Sequence, residues 1–325
     1  MLRIFSEEDG VPRALPAKKS PEDLKVLNEL TRYWPPVVDG YLFRNEEEVD
    51  AVIKLRSHLQ DLENDCNWAS LDISDVRTLL CFARARKLNI KAAEHMFRAA
   101  HAWRKVVEPE KLATGFVLPP VVDAHGTGGP YGFDREGSPV FVDRLGLIDP
   151  PGILKHVSGG VDELLECEVC RLEYFQALTD MCVVRDRKPH WGMTIIMDLT
   201  GLGVHHLHST GLQALKRIMN QSDSYYPERA KRVLVINAPR IFAAIWKIVQ
   251  HFLDPVTREK VQIYQDGATE QLFKYISPDQ LPRFLGGTGV NGAGDPYCNP
   301  PIRPGGKVPK DFRDDVFEDS FEALD

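Results

Sequence analysis

The sequence lacks any apolar run long enough to cross a membrane. A spanning helix needs about 18 or more consecutive apolar residues, and no segment of the 325-residue chain approaches that length. The N-terminal stretch MLRIFSEEDG has far too short an apolar run for a secretory signal. Cysteine is scarce, with six residues, and without a secretion signal this favours reduced thiols in the cytosol. We therefore expect a soluble intracellular protein.

An excess of positive charge is also missing. The formal net charge is −7, so the chain as a whole is not attracted to nucleic acids or anionic bilayers. Any anion must therefore be recognised by a local group of cations. The remaining composition, 43% hydrophobic and 27% charged, is typical of a globular protein with ample core.

Common catalytic motifs are absent from the sequence. It has no GxSxG nucleophile elbow, no Walker lysine loop and no HExxH zinc motif. The glycines between residues 126 and 132 are interrupted by Pro130 and do not separate a strand from a helix, as a dinucleotide-binding loop does. We expect a protein that is not an enzyme and needs no cofactor.

Two groups of potential metal ligands are incomplete. Cys167 and Cys170 have redox-motif spacing, but they lie inside a predicted helix and no second CxxC completes a zinc site. This favours two buried thiols one turn apart. His205, His206 and His208 follow a predicted strand in a loop, with no cysteine or carboxylate beside them to complete a ligand set. We expect no metal.

The first third of the chain has the periodicity of a small helical unit. After a polar lead-in, residues 20–23 (SPED) provide a capping serine, a proline and acids, a typical helix start. Apolar residues at three- and four-residue spacing predict further helices over 46–62, 75–88 and 90–106.

Beyond a Gly/Pro-rich loop at 125–132, strands and helices alternate. Such alternation predicts parallel strands joined by right-handed crossovers. The predicted elements are strand 138–143, helix 162–182, strand 194–199, helix 210–221, strand 232–237, helix 240–253, strand 261–265 and helix 269–276.

The helix predicted over 240–253 is apolar over most of its surface. Its polar side chains, Arg240, Lys247, Gln250 and His251, fall on one stripe about 100° wide. A crossover helix on a sheet needs one apolar face only. Either neighbouring elements cover the rest, as in a core helix, or the extra surface faces an apolar ligand or a bilayer. Periodicity leaves both interpretations open.

Several long motifs resemble one known family. They are DVRTLLCFARARKLNIKAAEHMFRAAHAWRK, TIIMDLTGLG, YYPERAKRVLVINAP, FLDPVTREKV and LPRFLGG, in this order. The chain is identified from them as a member of the CRAL-TRIO lipid-binding family over about residues 72–290. Within that family it most resembles the phosphatidylinositol transfer proteins of the secretory pathway.

The resemblance implies a division of the chain into four parts. These are a partly helical N-terminal extension (1–70), a CRAL-TRIO helical region (71–110), the lipid-binding lobe (111–290) and a Gly/Pro-rich, acidic tail (291–325). Apolar residues of the tail leave open whether it docks on the body or on a partner, or stays unfolded: Phe312, Val316, Phe317 and Phe321.

The implied fold is α/β, with a helical N-terminal bundle beside a mainly parallel sheet. This sheet floors an apolar pocket, and helix 240–253 closes the pocket as a gate. The residues that the resemblance places in the pocket or the gate are Phe141, Met193, Ile195, Ile241, Phe242, Ile245, Trp246, Val249 and Phe252.

The resemblance also implies a binding site for a lipid headgroup. Arg86, Lys87, Thr257 and Lys260 would hold the phosphate and inositol of phosphatidylinositol, supported by Glu228, Asp254 and Asp134. Taken one by one, these residues have ordinary structural interpretations. Arg86 and Lys87 suit a helix C-terminus, Lys260 and Glu228 suit a solvated surface, and Thr257 suits a turn.

The implied function is to take one phosphatidylinositol molecule out of a membrane and exchange it for a second lipid. Each methylene removed from a bilayer costs about 0.8 kcal/mol, so an apolar pocket must replace that burial. The implied partners are a transient membrane surface and lipid kinases, not nucleic acid. A cytoplasmic monomer visiting Golgi, endosomal or other intracellular membranes is expected.

Two other functions are compatible with the sequence. One is a carrier for another hydrophobe, such as a sterol, a terpenoid or a tocopherol-like molecule, although a neutral ligand needs no basic quartet. The other is an α/β enzyme with an unrecognised site, whose activity would survive Lys260→Ala.

Phosphatidylcholine binding is predicted to be weak. In family members that carry this lipid, hydroxyl side chains meet the choline, whereas here Phe141 stands in place of Tyr, Met193 of Ser and Ile195 of Thr. Purified protein incubated with mixed vesicles should therefore extract phosphatidylinositol well and phosphatidylcholine poorly. Comparable extraction of the two lipids would refute this prediction.

Overall fold

The computed structural model describes residues 43–312, except 64, 66, 69, 70, 267, 300 and 301. The helix start predicted at 20–23 and the tail residues Val316, Phe317 and Phe321 lie outside the described residues. Among the helices that are described, none is both long enough and apolar enough to cross a bilayer.

The helical unit predicted for the first third is present. It comprises α1 (Glu46–His58), α2 (Val76–Ala85) and α3 (Ile90–Val107), with a short hairpin of β1 (Asn67–Trp68) and β2 (Leu71–Asp72) before α2. Each helix is capped by a polar side chain (Asn45, Asp75 and Asn89) that accepts a hydrogen bond from a first-turn N–H. The predicted helix 46–62 is interrupted after His58 and continues as a 3-10 turn, Gln60–Leu62.

One apolar core joins the three helices. Leu55 and Leu59 from the first helix and its C-cap pack in the same cluster as Leu80 and Phe97. The rings of Phe82 and Phe97 have centroids 4.9 Å apart. Helix α1 therefore packs as part of this unit, although it lies before residue 70.

A five-stranded sheet forms the centre of the second part, in the order β3-β4-β5-β6-β7. The pairs from β4 to β7 are parallel, as the alternation predicted, and β3 is antiparallel to β4. The strands are β3 (Gly128–Phe133), β4 (Pro139–Asp143), β5 (Met193–Asp198), β6 (Ala230–Ile236) and β7 (Val261–Ile263).

The prediction of a loop over 125–132 is wrong from residue 128 onward, because β3 forms the edge of the sheet there. Pro130 has no backbone N–H for a hydrogen bond to a neighbouring strand. An edge strand tolerates this because only one of its sides is paired. Gly128 is needed for close approach, since a Cβ at this position would lie 2.8 Å from Cε1 of Phe141.

Helices cover both faces of the sheet. They are α4 (Pro109–Gly115), α5 (Pro120–His125), α6 (Pro150–His156), α7 (Gly160–Asp186), α8 (Ser209–Tyr225), α9 (Phe242–Val249), α10 (Pro255–Glu259) and α11 (Ala268–Phe273). On one face, Val142, Ile196 and Leu234 are neighbours across three strands and pack in a cluster with Leu272 of α11. On the other face, Phe141 packs with Leu178 of α7.

The helix predicted over 240–253 is much shorter in the structure. Helix α9 has only eight residues, and turns at 250–253 lead to the next helix. The break has a local cause, because Asp254 and Pro255 form a strong start for α10. The Asp254 side chain accepts the N–H of Val256, and Pro255 occupies the first helical position.

Part of the C-terminal segment docks on the body. The ring of Phe312 makes edge contacts with His125 and His156, with centroids 5.6 and 5.5 Å apart. The N–H of Val308 donates to Asp149 Oδ2 at 3.1 Å. Docking on the body, one of the three possibilities left open for the tail, therefore applies to the segment up to Phe312.

Buried ion pairs attach the helical unit to α7. Arg77 on α2 donates to Asp75 at 2.7 Å and to Asp180 on α7 at 2.9 Å. Arg104 on α3, which is fully buried, donates to Glu173 on α7 at 3.0 Å. A buried carboxylate that loses its cationic partner raises the free energy of the folded protein. These pairs therefore favour the one relative position of the helical unit and α7 in which every carboxylate is paired.

Arg77→Met should lower the free energy of unfolding by about 3–5 kcal/mol, since Asp75 and Asp180 lose their shared guanidinium in a buried setting. Arg98→Met is the matched control, because Arg98 pairs with Asp61 and Glu94 at the surface. That change should cost less than about 1 kcal/mol. Urea unfolding of both variants tests this, and equal losses would contradict it.

Candidate functional site

A polar cavity of about 520 Å³ opens where the helical unit meets the sheet domain. Its walls come from the start of α1, the end of α2, the segment before β6, and α10. The lining residues are Arg44, Asn45, Glu48, Arg84, Lys87, Leu88, Glu228, Val256, Glu259 and Lys260. Three of these, Lys87, Glu228 and Lys260, are among the residues expected to bind a headgroup.

The cavity lining differs in charge from the whole chain. It carries four cationic side chains (two Arg, two Lys) and three carboxylates (three Glu), so four minus three gives a formal charge of +1. The complete chain has −7. The cavity is therefore a local cationic site of the kind that the composition required for anion recognition.

Lys260 and Glu228 form a nearly buried pair on the floor of the cavity. Lys260 Nζ donates to Glu228 Oε1 at 2.7 Å and to the carbonyl oxygen of Ala230 at 2.9 Å. Their side chains are only 18% and 9% exposed. The pair holds the ammonium in one position, so the cavity contains no unpaired charge at this nearly buried point.

Arg84 and Glu48 form the second ion pair of the floor, and sequence reasoning missed both as site residues. Arg84 Nε and Nη2 donate to the two Glu48 oxygens at 2.8 Å each, and its guanidinium lies 4.6 Å from the Trp191 ring centroid. Burial raises the pKa of Glu48, but the hydrogen bonds from Arg84 and the Arg44 N–H outweigh burial, so the pKa is lowered overall. Glu48 is therefore held as a carboxylate.

Lys87 reaches the cavity through a strained helix end. Helix α2 finishes in a Schellman motif, in which Lys87 N donates to the Arg84 carbonyl and Leu88 N to the Ala83 carbonyl. The position of Lys87 in this motif usually holds glycine, because the backbone is left-handed, and here φ is 50°. Glu228, opposite in the cavity, also has positive φ, 63°. Left-handed non-glycine residues of this kind cluster at functional sites.

Arg86 and Asp254 contact each other beside the cavity. Arg86 Nη1 donates to Asp254 Oδ2 at 3.0 Å. The Asp254 N–H and the Thr257 hydroxyl donate to the two oxygens of Asp223 on α8, at 2.7 and 3.1 Å. Burial raises the pKa of Asp223, partly offset by these hydrogen bonds. Sequence reasoning missed Asp223. The residues of this network do not line the cavity itself: Arg86, Asp223, Asp254 and Thr257.

Asp134 belongs to a different network. It is buried at the turn before β4 and accepts hydrogen bonds from Thr194 Oγ1 and Lys231 Nζ, each at 2.8 Å, and from the Ser138 N–H at 2.9 Å. The structure does not bring Asp134 to the cavity.

Helix α9 leaves much of its apolar surface uncovered. Only Ile245 is buried, while Ile248 is 43% exposed. Phe242 packs against the sheet cluster of Val233 and Val235. Ile241, Trp246, Val249 and Phe252 are half-buried. The proposed gate residues are therefore more accessible than those of an ordinary core helix.

The residues expected on the pocket floor are mostly packed. Phe141 and Met193 are buried in one cluster with Phe175 of α7, and the rings of Phe141 and Phe175 are 5.1 Å apart. Ile195 lies between Phe141 and Val233 in the sheet register and is half-buried.

The thiol and histidine groups carry no metal-binding arrangement in the described residues, where no cluster of three His, Cys, Asp or Glu side chains could hold an ion. Burial raises the pKa of the Cys167 thiol to about 12, and burial also raises that of Cys170. Both therefore remain protonated thiols at neutral pH.

Comparison with protein families decides the classification. The model of the CRAL/TRIO domain matches residues 123–287. The chain belongs to the CRAL/TRIO domain family. The resemblance expected from the motifs is confirmed at this level, as is the α/β fold with N-terminal helices and a mixed, mostly parallel five-stranded sheet.

Similar proteins agree with this classification. The chain is 36% identical over 218 residues to Protein real-time of Anopheles gambiae, covering 66% of this chain and 32% of that protein. It is 33% identical over 243 residues to the Drosophila melanogaster protein of the same name, covering 73% and 35%. The matches thus span about a third of the length of these relatives. The crystal structure of Sfh5 is similar in fold, with a TM-score of 0.55 at 17% identity, covering 87% of this chain and 99% of that one.

The cavity extends beyond the matched CRAL/TRIO domain. Glu228 and Lys260 lie within residues 123–287, whereas Arg44, Glu48 and Lys87 precede them. Six of the ten lining residues therefore precede the matched domain, and the other four lie within it.

Lys87→Gly should raise the free energy of unfolding by about 1 kcal/mol, because glycine adopts the left-handed conformation without the strain of a Cβ. Lys87→Ala removes the same charge but keeps the strain, so it is the matched control and should not stabilise the protein. Denaturant unfolding of both variants measures the difference. If the two were equally stable, the helix end would not be strained.

Proposed function

We propose that this CRAL/TRIO protein binds phosphatidylinositol and carries it between membranes. The observation that carries the proposal is the Lys260–Glu228 pair, which lies in a cavity of charge +1 joined through α10 to the uncovered apolar helix α9. A polar site and an apolar surface in this proximity fit a molecule that has both an anionic headgroup and hydrocarbon chains.

The charge of the cavity suits a phosphodiester. Phosphatidylinositol carries one negative charge, which the net charge of the lining balances. The fork of donors on arginine and the compact charge of lysine both bind phosphate oxygens. Glu228 and Glu259 supply acceptors for the hydroxyls of the inositol ring. A neutral hydrophobe would use none of these groups, so another hydrophobic ligand is the less favoured alternative.

The hydrocarbon chains need a separate, apolar environment. Withdrawing them from a bilayer costs about 0.8 kcal/mol per methylene unless protein surface covers them. The half-buried apolar side chains of Trp246 and Val249 on α9, and of Ile195 on the sheet, are available for this. On this proposal α9 is the gate, touching the membrane when open and covering the chains when closed.

Further steps belong to the same proposal. The carried lipid is exchanged for a second lipid or hydrophobe, and phosphatidylinositol is presented to lipid kinases at Golgi, endosomal or other intracellular membranes. Phe141, Met193 and Ile195 make phosphatidylcholine a poor second ligand. The four-part division of the chain stays a prediction, since the relatives are much longer than the matched region.

Lys260→Gln should reduce phosphatidylinositol transfer between vesicles roughly tenfold, because it removes one charge-assisted contact to the headgroup. Lys274→Gln is the matched control, since Lys274 is exposed near α11, which packs on the opposite face of the sheet.

The expected control result is unchanged transfer. Mass spectrometry of lipid that co-purifies with the unmodified protein should show an inositol phosphate fragment. Because Lys260→Gln leaves Glu228 without its ammonium, the double variant Lys260→Gln/Glu228→Gln separates loss of binding from loss of folding. Full transfer by a folded double variant would refute the proposed headgroup site.

A further inference from the structure

The cavity has a neutral floor and a charged rim. On the floor, Arg84 pairs with Glu48 and Lys260 pairs with Glu228, so two cations meet two carboxylates. The rim consists of three exposed side chains, Arg44, Lys87 and Glu259. The whole formal excess of +1 therefore belongs to the rim.

Arg44 is the cation of the rim with least compensation. Its backbone N–H donates to Glu48 Oε2 at 2.8 Å, which fixes the main chain just before the Asn45 cap of α1. Within the described part of the chain, its guanidinium makes no hydrogen bond or ion pair. Its charge acts on Glu48 only at a distance, because Glu48 is already bound by both donors of Arg84. Glu46 and Glu47, in the same turn, do not line the cavity.

The carboxylate of the rim is loosely held. Glu259 approaches Lys87 at 3.6 Å, and the two side chains are 68% and 67% exposed. An exposed pair of this kind contributes about 0–1 kcal/mol, so Glu259 can turn toward solvent at little cost. Arg44 and Lys87 then present two positive charges at the mouth of the cavity.

Two loosely paired cations at the mouth of the cavity match a phosphomonoester better than they match a hydroxyl. A phosphomonoester carries about −1.5 to −2 charges at pH 7 and three acceptor oxygens. The diester phosphate of the same lipid would be met by Lys260 on the floor. A ring phosphate would then project toward the rim, where the guanidinium of Arg44 provides paired donors.

We infer that the rim formed by Arg44, Lys87 and Glu259 binds a phosphate ester on the inositol ring, so that a phosphorylated inositol is a ligand of this site. The inference rests on the proposed function for its lipid form. Arg44 is then a specificity-determining residue contributed by a segment outside the matched family domain. Glu259 opposes the phosphorylated form by competing for Lys87.

The test compares two lipids and three variants. The full chain is incubated with phosphatidylcholine vesicles containing either phosphatidylinositol or phosphatidylinositol monophosphate, and the bound lipid is quantified. Arg44→Gln should lower extraction of the monophosphate roughly five- to tenfold. It should lower extraction of phosphatidylinositol by a clearly smaller factor, about twofold, since the diester phosphate keeps Lys260. Glu259→Gln should raise extraction of the monophosphate. Arg56→Gln, an exposed arginine at the other end of α1, is the matched control and should change neither lipid.

A second arm identifies the source of the phosphate. Titration calorimetry with soluble inositol 1,4-bisphosphate and inositol 1-phosphate measures the rim without a membrane. Tighter binding of the bisphosphate that depends on Arg44, without extraction of either lipid, would support the rim site and overturn the proposed lipid transfer. Extraction of phosphatidylinositol, together with equal behaviour of Arg44→Gln, Glu259→Gln and the unmodified chain toward the monophosphate, would overturn the rim site alone.

Discussion

A buried charge must be paired, and this constraint organises the junction between the helical unit and the sheet domain. Arg77 and Arg104 pair with carboxylates of α7 on one side of the junction, and Arg84 and Lys260 pair with Glu48 and Glu228 in the cavity. Each pair is costly to break and contributes little net stability when intact. The effect of the Arg77 and Arg104 pairs is therefore positional, because they fix where the two parts meet. The other two pairs hold the cavity lining within each part, since Arg84–Glu48 joins α2 to α1 and Lys260–Glu228 joins the end of α10 to the segment before β6.

The cavity keeps features that stability alone would not favour. Lys87 occupies a left-handed position where glycine would be more stable, and Glu228 has a similar backbone conformation on the opposite wall. Left-handed non-glycine backbone costs roughly 1–2 kcal/mol per residue. Both conformations direct charged residues into the lining. Left-handed non-glycine residues also end α3, at Glu108, and α7, at Arg187. What distinguishes Lys87 and Glu228 is that both line the same charged cavity.

The sequence predicted more of the fold than of the site. Alternating strands and helices gave the parallel order from β4 to β7, since that pattern depends on local periodicity. Strand β3 was missed because its glycines and Pro130 are loop signals, and only pairing with β4 makes it a strand. The early end of α9 was missed because apolar periodicity continues past Val249, whereas the Asp254-Pro255 start of α10 overrides it. In the site, Glu228 and Lys260 were named through family motifs. Glu48, Arg84 and Asp223 were missed, because their contacts join residues distant in sequence. Arg44 was missed because it precedes the stretch that the family motifs cover.

The contacts of Asp254 lie beside the cavity, at the connection between α9 and α10. Asp254 lies five residues beyond the end of α9, caps α10 with one oxygen, and accepts Arg86 with the other. Its own N–H is bound by Asp223 on α8. The C-terminal connection of α9 is thus fixed by side chains from two other helices, while α9 itself buries only Ile245. A helix with so little burial and a well-held end is suited to move as a lever about that end, because local opening costs least where few apolar contacts are lost. On the proposed function, binding at the cavity would alter the charges around Arg86 and Lys260. Helix α10, which carries these contacts, would transmit the change to α9.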